Sequence, residues 1–212
     1  MGRQYDTPAH RAIALAAVAG SAHLLRRGLR LEYATLGWNV VGSAIAITAA
    51  VASRSVALAG FGLDSLIEIV ASLVVVWQLK GAGKGRERRA LTIIGVAFIG
   101  LAVYITGQSI YTIASELHPH HSRTGIVWLA FTAVAMFALA AGKATTGKKL
   151  GNRVLETEAW VTLIDGYLAL AVLVGLLLNA FAGLWWADPL AAFVIVVYAI
   201  REGRAALAGD AS

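Results

Sequence analysis

Three acidic residues, Asp64, Glu68 and Asp165, stand in stretches that are otherwise strongly apolar. Asp64 and Glu68 are four residues apart, so a helix places both on one face. Carboxylates in hydrocarbon are costly unless they are paired, hydrated or neutralised. A divalent cation supplies the missing positive charge and accepts carboxylate oxygens as ligands. The pattern therefore predicts a metal site, with a proton relay or protonated, hydrogen-bonded carboxyl groups as alternatives.

The positions of these acids along their helices predict that they meet. At 1.5 Å per residue, Asp64 and Glu68 lie roughly 12 and 18 Å from the start of their stretch near Val56. The stretch of Asp165 starts near Thr157 and is predicted to enter from the opposite side, which places Asp165 roughly 12 Å from that side. We expect all three carboxylates near the membrane midplane, with no Lys or Arg inside the membrane to neutralise them.

Two further polar residues are weaker candidates for the same site. Asn39 lies roughly 10 Å into the first apolar stretch, where its amide is either a ligand or an interhelical hydrogen-bonding group. Glu158 precedes Asp165 by seven residues and shares its face. It either attracts cations at the cytoplasmic end or is an acid favoured by the helix dipole. The candidate metal ligands are Asp64, Glu68, Asp165, Asn39 and Glu158.

Two loop features complete the set of candidates. His118, His120 and His121 lie between apolar stretches, and we interpret them as a metal release or capture site or as a solvated loop. Asp188 and Pro189 follow two tryptophans and are typical of a helix start, with Asp188 as the N-cap and Pro189 in the first helical position.

The composition identifies the class of protein that holds these residues. The chain is 58% hydrophobic and only 14% charged, whereas soluble domains are about one quarter charged. It has no cysteine, which excludes disulfides, thiolate metal sites and cysteine nucleophiles. It also has no phosphate-binding loop, nucleophile elbow or zincin motif. We therefore expect a membrane protein that is not an enzyme and has no tightly bound cofactor.

Six apolar segments are long enough to cross a hydrocarbon core of about 30 Å. The prediction is an all-α integral membrane protein with six transmembrane helices in one bundle. Residues 1–30 are expected to form an N-terminal segment with an interfacial helix, 31–203 the transmembrane domain and 204–212 a short tail. The predicted spans are Glu32–Ser53, Ser55–Leu79, Ala90–Ser115, Thr124–Gly142, Thr157–Ala180 and Leu184–Ile200.

The basic residues predict the orientation of the bundle. Sixteen of the 18 Lys and Arg residues fall in the N-terminal segment, the second and fourth connections and the C-terminal tail, and only Arg54 and Arg123 fall elsewhere. Cytoplasmic loops of membrane proteins are enriched in Lys and Arg. Both termini are therefore predicted to be cytoplasmic, and Lys143 is assigned to the cytoplasmic connection after the fourth span.

Several motifs together resemble the cation diffusion facilitator family over roughly residues 32–203. The Ser-Val-Ala-Leu sequence at 55–58, followed by Asp64 and Glu68, resembles the family's second helix and its two metal ligands. Asn39 resembles an asparagine of its first helix, the segment from Glu158 to Asp165 resembles its fifth helix, and the segment 186–190 resembles the start of its sixth. Val161 stands where the family has a histidine. The resemblance is to a short branch that lacks the C-terminal cytoplasmic domain.

The resemblance implies a homodimeric metal/proton antiporter. Together with the residues above, it leads us to expect a transporter of the inner cell membrane that exports a divalent metal cation, with zinc favoured and manganese, iron(II) and cobalt as alternatives. Without the histidine the donors are oxygens, which weakens the preference for zinc. The other functions that the sequence leaves open are a small organic cation/proton transporter and a membrane interaction protein that transports nothing.

Overall fold

The computed structural model describes residues 8–79, 84–151 and 153–208, and these residues form six helices with no strand among them. The all-α fold with six helices is confirmed. A bundle of helices is the expected outcome for so apolar a chain, because a helix satisfies its own backbone hydrogen bonds in lipid. The helices are α1 (Pro8–Ser53), α2 (Val56–Leu79), α3 (Lys84–Ala114), α4 (Arg123–Leu150), α5 (Arg153–Ala182) and α6 (Ala187–Ala208).

Four stretches of described helix are long and apolar enough to cross a membrane by length and composition: Ala22–Ser53, Thr92–Ala114, Arg123–Leu150 and Glu158–Ala182. They belong to α1, α3, α4 and α5. The helices α2 and α6 are 24 and 22 residues long, and both carry charged residues within their bounds. These include Asp64 and Glu68 on α2 and Arg201 and Glu202 on α6.

Four of the predicted helix ends differ clearly from the structure: α3 begins at Lys84 and not at Ala90, α6 ends at Ala208 and not at Ile200, and the other two belong to α4 and α1. The fourth helix was expected to end at Gly142, but α4 continues to Leu150, and Gly151 ends it with a left-handed backbone at φ 60°. Gly142 stays within the helix, because a glycine ends a helix only where its backbone adopts the left-handed conformation. The first helix was expected to begin at Glu32, but α1 already begins at Pro8 and is continuous through this position. That the N-terminal part of α1 lies at the membrane interface stays a prediction.

The helices pack in pairs, with α4 along α5, α3 along α6 and α1 along α2. Small residues allow close approach at these contacts. A methyl group built on Gly95 of α3 would lie 3.0 Å from the carbonyl oxygen of Gly203 on α6, and one built on Gly203 would lie 3.1 Å from that of Gly95. The two backbones are therefore nearly in contact at this crossing.

The turn between α1 and α2 is short, so that the two helices form a tight hairpin. Arg54 adopts a positive φ of 56°, and the main-chain amide of His120 donates to the carbonyl oxygen of Ser53 at 2.8 Å. The Asn179 side chain of α5 donates to the Pro119 carbonyl oxygen at 3.0 Å. The loop between α3 and α4 is thus held at the end of the bundle where α2 starts.

Asp188 caps a different helix from the one that the sequence predicts. It lies in the first turn of α6, which begins at Ala187, and its carboxylate accepts hydrogen bonds from the Ser55 hydroxyl and from the main-chain amides of Val56 and Ala57. Asp188 therefore satisfies the free N–H groups at the start of α2. The expected N-cap role on its own helix is wrong, because α6 starts one residue earlier and α2 lies within reach.

Candidate metal centre

The three acids that the sequence singled out come together in the interior of the bundle. One carboxylate oxygen from each of Asp64, Glu68 and Asp165 lies within 4.8 Å of the other two. We call these residues the carboxylate cluster. Asp64 and Glu68 lie on one face of α2 and Asp165 lies on α5. All three side chains are buried, with exposed fractions of 2%, 8% and 5%.

The cluster brings three acidic groups together with too few hydrogen-bond donors to satisfy all their oxygens. The Oδ1 atom of Asp64 is buried and has no hydrogen-bond partner among the described residues. One carboxylate oxygen of Glu68 and one of Asp165 lie within 4.8 Å of each other. Two carboxylates at this separation repel each other when both are ionised. A proton or a cation between them relieves the repulsion.

The geometry suits one bound cation. Carboxylate oxygens bind zinc at about 2.0–2.2 Å, so two oxygens on the same ion are at most about 4.4 Å apart. The oxygens of the cluster lie within 4.8 Å of one another, which leaves only small side-chain rotations between this arrangement and coordination. The unpaired Asp64 oxygen is the kind of atom that a cation would satisfy.

Two neutral side chains donate to the two carboxylate oxygens of Glu68. The Asn39 amide nitrogen of α1 donates to its Oε2 atom at 3.3 Å, and the Tyr198 hydroxyl of α6 donates to its Oε1 atom at 3.4 Å. Asn39 therefore lies beside the cluster, as the sequence analysis expects, although this contact uses its amide nitrogen. A ligand role for its amide oxygen stays a prediction.

Tyr198 is not among the candidate residues predicted from the sequence. Its only sequence signal is a tyrosine within an apolar helix, away from the membrane interface where tyrosine is common.

Glu158 does not join the cluster. Its Oε2 atom lies 3.7 Å from the Nζ atom of Lys143, and the same ammonium donates to Glu32 Oε2 at 2.9 Å and to Thr162 Oγ1 at 3.0 Å. We call Lys143, Glu32, Glu158 and Thr162 the Lys143 site. The metal-ligand role assigned to Glu158 stays a prediction that this ion pair does not support.

The expectation that no Lys or Arg lies within the membrane-spanning part is wrong. Lys143 is fully buried, with an exposed fraction of 0%. The expectation failed because Lys143 follows the apolar run of α4 directly and was read as part of a loop, whereas the helix continues for another seven residues.

The three loop histidines lie apart from the cluster. The His118 ring stacks on the Trp185 ring with centroids 4.7 Å apart, and His120 is held through its main-chain amide to Ser53. His118 and His120 line a cavity of about 480 Å³ between α1, α2 and α3, together with Tyr104, Gln108 and Tyr111. Their role in metal release or capture stays a prediction.

Comparison with known proteins agrees with this arrangement. One curated relative, Transmembrane protein 163 of Xenopus laevis, is 24% identical over 152 residues, which cover 70% of this chain and 54% of that protein. The chain thus spans about half the length of the curated relative. Residues 33–208 match the sequence profile of the cation efflux transmembrane domain.

This match covers most of the chain, from α1 to the end of α6, and includes every residue of the carboxylate cluster. Together with the apolar helices, it identifies a multi-pass membrane protein, and the chain belongs to the cation efflux family through its transmembrane domain.

Proposed function

We propose that this protein exports a divalent metal cation from the cytoplasm in exchange for protons, with zinc as the first candidate. The observation that carries the proposal is the convergence of three buried carboxylates from α2 and α5 within 4.8 Å. Buried acids in membrane-spanning segments mark ion and proton pathways. Membership of the cation efflux family supports the same function.

The exchange for protons follows from the chemistry of the cluster. Oxygens of Glu68 and Asp165 lie within 4.8 Å of each other, and the oxygens that can take up protons are the same ones that are offered to a metal ion. Metal binding to carboxylates displaces protons, and protonation releases the metal. Alternating exposure of the cluster to the two sides of the membrane therefore couples the two fluxes in opposite directions.

The donor set bears on which cation is transported. The cluster offers only oxygen atoms, and Val161, four residues before Asp165 on α5, supplies no ligand. Zinc binds carboxylates but gains selectivity from nitrogen and sulfur donors, whereas manganese suits an all-oxygen site. Zinc stays the first candidate. Manganese, iron(II) and cobalt are the alternatives, and the protein is expected to discriminate weakly among them.

Transport assays in proteoliposomes test the proposal. A metal-sensitive dye and a pH-sensitive dye inside the vesicles report the two fluxes after zinc or manganese is added outside. We expect metal uptake with a counter-flow of protons in the unmodified protein. Asp64→Ala and Asp165→Ala should each reduce both fluxes by at least about 100-fold, because the dehydrated ion loses a ligand and a charge.

The matched control is Glu116→Gln, which removes an exposed acid from the loop after α3 and should leave both fluxes unchanged. Retention of both fluxes in the two cluster variants would reject the site. If the protein transports a small organic cation in a way that depends on the cluster, and transports no metal, then the organic cation is the substrate and the metal is not.

The location and assembly of the protein are part of the proposal. We place it in the inner cell membrane as a homodimer with both termini in the cytoplasm, on the basis of the basic clusters and the family resemblance. Since the chain has no cysteine, a single cysteine added at either terminus reports its side by labelling with an impermeant thiol reagent. Light scattering of the purified protein in detergent measures the number of chains.

A further inference from the structure

The Lys143 site is a second group of charges that the proposed chemistry of the cluster does not use. Its ammonium comes from α4, Glu32 from α1, and Glu158 and Thr162 from α5. The bond to Glu32 is 2.9 Å and the bond to Thr162 is 3.0 Å. A buried ammonium is stable only when its charge and its protons are matched in this way.

The two acids of the Lys143 site are partly exposed, whereas its lysine is not. The side chains of Glu32 and Glu158 are 35% and 30% exposed, whereas that of Lys143 is 0% exposed. The two acids therefore reach the surface of the bundle, whereas the ammonium is buried. The Oε1 atom of Glu32 is buried and has no hydrogen-bond partner among the described residues, so Glu32 has an oxygen available for another cation.

The Lys143 site is also close to the carboxylate cluster. Thr162, which accepts a hydrogen bond from Lys143, precedes Asp165 by three residues and lies on the same side of α5. The ammonium thus contacts two partly exposed acids and, through Thr162, the turn of α5 that precedes Asp165.

We propose that Lys143 is a tethered cation that gates access to the carboxylate cluster from the α1–α4–α5 side, so that a metal ion passes Glu32 and Glu158 only when the ammonium leaves them. The inference rests on the proposed transport function. Glu32 and Glu158 attract the incoming ion, and Lys143 competes with it for the same carboxylates. Lys143 is a positioning residue, since it acts through these acids and not as a ligand.

Opposite changes in association rate distinguish a gate from a structural ion pair. Stopped-flow measurement of zinc and manganese binding to the purified protein in detergent gives the association rate without requiring transport. We expect Lys143→Met to accelerate association about tenfold, because the competing charge is gone. Glu32→Gln and Glu158→Gln should each slow it several-fold, because the attracting charge is gone. A purely structural ion pair predicts the same direction of change in all three variants.

Further variants keep the test decisive. Lys143→Arg retains the charge and should restore slow association. Thr162→Val loosens the ammonium without removing it and should accelerate association two- to threefold, which tests the gate even if Lys143→Met fails to fold. Lys148→Met, an exposed lysine further along α4, is the matched control and should have no effect.

The two proposals fail in different ways. If metal binds to the unmodified protein and Asp165→Ala abolishes that binding, but Lys143→Met and Glu32→Gln change association in the same direction, the gate is overturned and the metal site stands. If the unmodified protein binds no metal, or Asp165→Ala binds it equally well, both proposals are overturned.

Discussion

Asp188 and the carboxylate cluster are both buried acids in an apolar bundle, yet their surroundings differ completely. Asp188 is 0% exposed and accepts hydrogen bonds from the Ser55 hydroxyl and from two main-chain amides. In the cluster, Asp64 has an unpaired oxygen, and no described Lys or Arg forms an ion pair with any of the three acids. Donors of the protein satisfy the Asp188 carboxylate, whereas the cluster receives the neutral donors Asn39 and Tyr198 at Glu68 alone and has no ion-pair partner among the described residues.

This difference bears on which buried acids stabilise the bundle and on why the cluster is the proposed cation site. An acid surrounded by donors lowers the free energy of the folded state. Acids that repel one another raise it, unless a cation or a proton joins them. The Lys143 site is intermediate between Asp188 and the carboxylate cluster. The charge that balances its acids belongs to the protein, but it sits on the long, flexible side chain of a lysine.

The largest effect is expected from the removal of Asp188. Asp188→Ala should reduce the free energy of unfolding by about 3 kcal/mol, because it leaves buried donors at the start of α2 without an acceptor. Thermal or chemical unfolding in detergent micelles measures the loss. Ser55→Ala removes one donor to Asp188 and the acceptor of the Leu58 amide but leaves the Asp188 carboxylate in place, so it should cost less. A loss below about 1 kcal/mol in Asp188→Ala would show that the cap does not stabilise the bundle.

A histidine at Val161 should change the metal preference of the cluster. Val161 is half-buried and lies four residues before Asp165 on the same side of α5. Val161→His adds a nitrogen donor, so we expect zinc affinity to rise about tenfold relative to manganese, which corresponds to about 1.4 kcal/mol. Competition titration measures the ratio, with Val161→Leu as the control for size. An unchanged ratio would place this face of α5 outside the metal's reach.

The smallest effect is a gain in stability. Asp165→Asn removes one charge from the cluster and should stabilise the metal-free protein by about 1 kcal/mol, because repulsion with Asp64 and Glu68 is relieved. The same variant should lose the stabilisation that added metal gives the unmodified protein. Unfolding curves with and without zinc measure both effects. Destabilisation of the metal-free variant would make Asp165 a structural residue like Asp188.

The sequence was sufficient to place the carboxylate cluster. Helix rise and the entry points of two apolar segments predict the depths of Asp64, Glu68 and Asp165, and the structure brings the three together. Such a prediction works because a charged side chain in an apolar helix is too costly to face lipid and therefore faces the interior of the bundle. The six helices could be predicted because each apolar segment is long enough to cross the hydrocarbon core.

The partners of other polar residues could not be predicted. Lys143 lies at the end of an apolar run, where a basic residue is typical of a loop, and only the course of α4 to Leu150 makes it internal. The contact between Asp188 and the start of α2 joins positions more than 130 residues apart. Such pairings depend on how the helices pack, which helix propensity and hydropathy do not encode.

The Asp188 contact has a mechanical consequence for the ion. It fastens the first turn of α6 to the first turn of α2, which links the helix of Asp64 and Glu68 to the helix of Tyr198. Asp165 lies on α5, which packs most extensively along α4. A cation held by all three acids has ligands from both α2 and α5, so any sliding of α5 along α2 changes the number of its ligands.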